Sequence, residues 1–149
     1  MNRIGMIVLI AAAVFAPCAL ARHPAYLHAR SDLRTARAFL RVTEEPNVTR
    51  NLREAEREVN EALREVNRAA YMDGKNMEAE PSIDTYLDRR GRFHRIMALL
   101  RSARSDVDQE EDNPEARGWR NAALRHIDIA IDFVRQAARD LHWDRDMGF

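Results

Sequence analysis

The sequence predicts an all-α fold: a four-helix bundle built from two duplicated αα-hairpins. Three observations carry this. Glu58–Ala70 returns as His126–Ala138 at a shift of 68 residues, and Leu33–Arg37 returns as Leu100–Arg104 at a shift of 67. The repeated unit therefore holds two helical segments and the turn between them, and such a unit cannot bury its apolar face alone. Apolar residues also recur at three- and four-residue steps through four segments, the spacing that gathers them on one helix face. Finally, Cys18 is the sole cysteine and falls in the N-terminal leader, so packing rather than disulfides must hold the domain together.

The leader reads as a secretory signal peptide over residues 1–21. Met1-Asn2-Arg3 is basic, Ile4 to Ala16 is an apolar run broken by Gly5, and Ala19-Leu20-Ala21 gives the small-x-small pattern for cleavage after Ala21. The apolar core of about 13 residues ends at Pro17, short of the roughly 20 needed to cross a bilayer. No membrane span is expected after cleavage. Pro17 stands where a lipobox has a small residue, so lipidation of Cys18 is set aside. Residues 22–149 are read as one domain: a hairpin over 24–72, a linker over 73–87, a hairpin over 88–142 and a short tail.

The first segment, Pro24 to Val42, carries Tyr26, Ala29, Leu33, Ala36 and Leu40 on one stripe, widened by Phe39. Pro24 suits a first helical turn, where its missing N–H would be unpaired anyway. Glu44-Glu45-Pro46 ends the segment, and Asn47 or Thr49 can cap the next. That second segment, Val48 to Met72, aligns Val48, Leu52, Ala55, Val59, Ala62, Val66 and Ala69, and its outer face pairs Glu54 with Arg57, Glu61 with Arg64 and Glu65 with Arg68. Asp73-Gly74 reads as the stop.

Pro81 and an acidic excess break the pattern before the third segment, Asp88 to Val107, and Ser82 is positioned to cap a short helical turn reaching Leu87. The third stripe is Phe93, Ile96, Leu100, Ala103 and Val107. Asn113-Pro114-Glu115 then combines a cap residue, proline and an acid, the strongest helix start in the chain. The fourth stripe follows as Trp119, Ala123, Ile127, Ala130, Ile131, Val134, Ala137 and Leu141, with Trp143 to Phe149 as a frayed tail. The connector, about 14 residues at roughly 3.3 Å each, reaches some 45 Å and outspans a 20-residue helix of about 30 Å. Up-down-up-down order is favoured, with hairpin exchange between two chains as the alternative.

Composition narrows the chemistry. The formal net charge is zero, and Lys75 is the single lysine among 24 basic residues. Arg22 to Arg41 contains five arginines against Asp32, and the third segment carries Arg89, Arg90, Arg92, Arg95, Arg101 and Arg104 against Asp88. An anionic partner suits these helices, whereas the neutral total argues against nucleic acid. No His-x-x-x-His, His-Glu-x-x-His or Glu-x-x-His occurs, and there is no phosphate loop or Gly-x-Ser-x-Gly elbow. No enzyme, metal or cofactor is therefore expected. The ligand-binding alternative rests on His28, His94 and His126, one per helix, which a bundle could bring together from facing helices; haem, ligated by His126 with His28, Met97 or His94, is its weakest form.

The stretch His23 to Arg34, together with Gly91-Arg92-Phe93-His94 and Leu124-Arg125-His126-Ile127-Asp128, resembles a set of small secreted bacterial proteins of unknown function. The resemblance covers most of the mature chain and implies a helical bundle in the periplasm or outside the cell. It assigns no activity. The expectation is an exported, non-enzymatic bundle that binds a protein or an anionic envelope component. The fourth helix is also apolar over a wider arc than its twin, because Ile129 and Phe133 replace Glu61 and Glu65. That arc means an asymmetric core, or a face for a partner or a second copy in a homodimer.

Overall fold

The computed structural model describes residues 25–72, 85–109, 114 and 116–143. The signal peptide, Asp73-Gly74, most of the linker and the last six residues lie outside the described residues. Four helices follow in order: α1 (Ala25–Leu40), α2 (Pro46–Met72), α3 (Arg89–Gln109) and α4 (Arg117–Asp140). They share one core, in which all the expected stripe residues except Trp119 and Leu141 are buried. Each Leu, Ile, Val or Phe fully buried there contributes about 1.5–3 kcal/mol. Among the described residues, no helix is long and apolar enough to cross a membrane.

Local chemistry sets the helix starts. Pro46 opens α2 instead of ending the first segment, and Thr49 Oγ1 donates to the Glu44 carbonyl at 2.7 Å while accepting from the Glu44 N–H at 2.9 Å. Asp88 caps α3, its Oδ1 accepting from the Gly91 N–H at 3.0 Å. A Cβ at Gly91 would lie 2.5 Å from that oxygen, so glycine leaves room for the cap to close. Residues 85–88, just before α3, carry no helix; Ser82, expected to cap a short turn reaching Leu87, lies outside the described residues. The fourth helix begins at Arg117; Asn113 and Glu115 of the expected start lie outside the described residues. Ala116, with φ −83° and ψ −16°, makes no side-chain cap and is buried.

The helix order corrects the expected up-down-up-down arrangement. Arg89 and Arg92 at the start of α3 bind Glu44, and Arg89 also reaches Glu45, so α3 begins beside the α1–α2 turn. Asn51 near the start of α2 donates to Asp140 at the end of α4 at 2.9 Å. The order is up-down-down-up, with α3 antiparallel to α1 and α4 antiparallel to α2. The cause lies in the helix ends: Glu44 and Glu45 at the first turn meet the arginines that open α3. Arg92 is buried against Glu44, whose side chain is 3% exposed, and burial pulls the Arg92 pKa below its ordinary value.

The two hairpins are thus related by a pseudo-twofold axis running across the helices. Glu58 and His126, equivalent under the shift of 68, touch each other on it. On α2, Asn51, Ala55, Glu58, Ala62 and Ala69 share one stripe, and Asn51 and Glu58 both contact α4. Ala55, Ala62 and Ala69 therefore face α4, whose equivalents Ala123, Ala130 and Ala137 face back; all six are fully buried. Small side chains every two turns let these helices approach closely, and α2 with α4 forms the most extensive interface.

Of the expected frayed tail only Trp143 is described, and it is held to the end of α4. The His142 N–H bonds to the Arg139 carbonyl at 2.9 Å and the Trp143 N–H to the Ala138 carbonyl at 3.0 Å, a Schellman turn with His142 at φ 59°. The turn carries Trp143 back onto Phe93, with ring centroids 5.7 Å apart and nearly perpendicular planes. Of the two residues that widen the fourth stripe, Phe133 packs against the core and Ile129 remains 42% exposed.

Candidate functional site: an arginine groove on the first hairpin

Helical spacing places Arg30, Arg34 and Arg37 at i, i+4 and i+7, along one side of α1. The antiparallel α2 faces them with Asn60, Leu63, Arg64 and Asn67, and the seven residues line a groove of about 320 Å³. Arg37 Nη1 donates to Asn60 Oδ1 at 3.3 Å, which pins the register of the two walls. Leu63 is buried and supplies the floor, and Arg34 is 9% exposed. Arg64 sits at the rim and pairs along its own helix with Glu61. Among the described residues lining the groove there are four guanidinium groups and no carboxylate.

The second hairpin provides an internal comparison. Arg37 corresponds to Arg104 and Asn60 to Asp128, and the same contact recurs there as an ion pair, Arg104 Nε donating to Asp128 Oδ1 at 2.6 Å and Nη2 to Oδ2 at 3.4 Å. Hydrogen bonding to Asp128 raises the Arg104 pKa above its ordinary value. Arg64 corresponds to Asp132, which pairs with Arg135, the equivalent of Asn67, at 3.1 Å. Arg30 corresponds to the buried Met97. The Arg37–Asn60 contact of the first copy thus recurs in the second as an ion pair to Asp128.

Four further arginines make ion pairs within the fold. Arg89 and Arg92 bind the acids of the first turn, Arg104 binds Asp128, and Arg41 binds Glu56 at 2.7 Å.

No family model, curated protein or solved structure matches this chain. The site therefore has to be read from its own chemistry.

The histidines singled out from the sequence are not gathered into one centre. His28, in the first turn of α1, and His94, in the second turn of α3, are both exposed; because α1 and α3 are antiparallel, they lie toward opposite ends of that pair. His126 lies half-buried at the α2–α4 seam, its Nδ1 2.7 Å from Glu58 Oε2. Among the described residues, no group of three or more His, Cys, Asp or Glu is arranged to hold a metal ion. Sequence reasoning identified α1 as basic but missed the groove. The signal was present in the duplication, as the exchanges of Asn60 for Asp128 and Arg64 for Asp132.

Proposed function

We propose that this chain is an exported, non-enzymatic binding bundle of the bacterial envelope that engages an anionic envelope component through the α1–α2 arginine groove. The observation that supports the reading is the row of Arg30, Arg34 and Arg37 along α1, which with Arg64 lines a groove of about 320 Å³. Guanidinium groups pair with carboxylate or phosphate through two parallel hydrogen bonds, and three of them in a row along α1 suit an extended anion better than a single ion. The signal-peptide pattern and the resemblance to small secreted bacterial proteins support an envelope location. The sequence supplies no catalytic motif, so binding rather than turnover is the activity assigned.

Co-sedimentation with envelope fragments from the source cell tests this. The discriminating variant is Asn60→Asp with Arg64→Asp, which writes the second copy's acids into the first groove. Wild-type protein is retained, is released as salt rises, and loses retention at least tenfold in the variant. Retention of the variant at the wild-type level, or no retention of either, overturns the reading.

A further inference from the structure

The two residues that widen the apolar arc of α4 part ways: Phe133 is taken into the core, and Ile129 is left on the surface. Ile129 is the midpoint of a stripe. Ala122, Arg125, Ile129, Asp132 and Gln136 follow one another at alternating steps of three and four residues, the 3.5-residue period of a coiled-coil seam. Ala122 is half-buried and the other four are exposed, so the stripe runs along the solvent side of α4. Trp119 does not belong to it. That ring, 37% exposed, turns instead toward α2, where the Arg68 guanidinium lies over it at 5.1 Å from the centroid.

The order of residues about Ile129 is self-complementary. Arg125 stands four positions before it and Asp132 three after, while Ala122 and Gln136 stand seven before and seven after. Laid antiparallel on a second α4 across a twofold axis at Ile129, the stripe sets isoleucine on isoleucine, each Arg125 beside an Asp132 and each Ala122 beneath a Gln136. Arg125 has no ion pair among the described residues. Asp132 accepts from Arg135 through Oδ1 at 3.1 Å, and its side chain is 74% exposed, which leaves Oδ2 to a second guanidinium. The first hairpin serves as a control, because Glu54, Arg57, Glu61, Arg64 and Arg68 hold the same five positions on α2. Paired in this register, α2 would set Glu61 on Glu61 and Arg57 on Arg64, like charge on like.

We infer that the outer face of α4 is a docking surface for a second copy of this chain, the two α4 helices lying antiparallel about Ile129 in a symmetric dimer. Isoleucine at the centre supplies the apolar contact, and the flanking Arg125–Asp132 pairs fix direction and register. The helix has 24 residues, so its seam is about 36 Å long and about 10 Å wide. That area is below the roughly 800 Å² per partner of a standard stable interface, and the dimer is therefore weak and concentration-dependent. Both α1 and α4 pack on α2 and α3, which puts them at opposite corners of the bundle. The α1–α2 groove thus stays open in the pair.

Sedimentation equilibrium of the full chain over a wide range of concentration tests the pairing. Wild type passes reversibly from monomer to dimer. Ile129→Glu, which copies Glu61 into α4, weakens the dimer at least tenfold, and because the side chain is exposed the variant keeps the wild-type melting curve. Arg125→Asp and Asp132→Arg each weaken it at least fivefold, and the two together restore it to within threefold. On a Cys18→Ser background, which removes the sole native cysteine, Ile129→Cys cross-links to itself on mild oxidation, whereas Glu61→Cys does not. A monomer at every concentration, a dimer indifferent to Ile129→Glu, or a double variant no better than the single ones overturns the inference. So does a dimer that persists on dilution and forms only by refolding, which assigns it to hairpin exchange, and so does cross-linking of Glu61→Cys in preference to Ile129→Cys, which assigns it to α2.

Discussion

Glu58 and His126 occupy the same position in the two copies of the hairpin, and their side chains meet, Glu58 Oε2 lying 2.7 Å from His126 Nδ1. Equivalent residues touch when they sit on the axis relating the copies, so this pair marks the centre of the α2–α4 seam. Exchanging the two residues should then be tolerated where changing one is not. His126→Glu sets two half-exposed carboxylates against each other and is expected to destabilise the protein by about 1 kcal/mol at neutral pH. The double exchange Glu58→His with His126→Glu restores most of that loss. Urea unfolding of the four proteins measures the coupling; additive effects would remove the axis from this pair.

The clasp between hairpins rests on Glu44, which is buried beside Arg92 and also binds Arg89 at 2.7 Å. Glu44→Gln leaves the Arg92 guanidinium buried without its counter-charge, an expected loss of about 3 kcal/mol. Replacing both partners, Glu44→Leu with Arg92→Met, recovers most of it, since the desolvation cost disappears with the charge. Thermal unfolding distinguishes the two.

At the end of α4, His142 holds a left-handed backbone at φ 59°. Glycine adopts that region without steric penalty, and the two Schellman hydrogen bonds use only backbone groups. His142→Gly is expected to stabilise by about 1 kcal/mol, read as a higher urea midpoint at unchanged slope.

Gly91 and Asp88 should be coupled. Replacing Asp88 with Ala removes the α3 cap at a cost of about 1 kcal/mol. Gly91→Ala gains about 1 kcal/mol of helix propensity but pushes the cap carboxylate away, so alone it is near neutral; on the Asp88→Ala background the gain appears in full. A stability cycle on the two positions checks this.

A backbone hydrogen bond at Glu45, helped by Arg89 at 3.0 Å, holds the Glu45 carboxyl below the usual glutamate value. A carboxyl lowered by folding stabilises the protein above its unfolded pKa of about 4.3, and that contribution is lost as pH falls through the folded value. Glu45→Gln should therefore differ from wild type at neutral pH and converge with it at low pH, followed by thermal unfolding from pH 7 to pH 2.

The duplication and the three- and four-residue spacing were enough to read four helices and most of the core, because each stripe is long and regular. Helix order was not legible, since the connector is long enough to begin the second hairpin at either end. The acids at the first turn and the arginines opening α3 decide it, and their pairing depends on three dimensions. Trp119 and Trp143 exchanged expectations: the first, on a regular stripe, lies near solvent under Arg68, while the second, in an irregular tail, is carried onto Phe93 by a turn that uses no glycine. Basic character in α1 was visible from composition. That Arg37 meets an amide where its equivalent Arg104 meets an acid emerged from comparing Asn60 with Asp128.

A bundle made of two identical hairpins would display every surface twice, on opposite sides of its axis. Joining the copies in one chain frees them to diverge, and here Arg104 is ion-paired to Asp128 where its equivalent Arg37 meets Asn60. On the proposed reading each chain is monovalent. A divalent version would bridge neighbouring strands of a polymeric ligand into a network, whereas a single groove decorates a strand without crosslinking it.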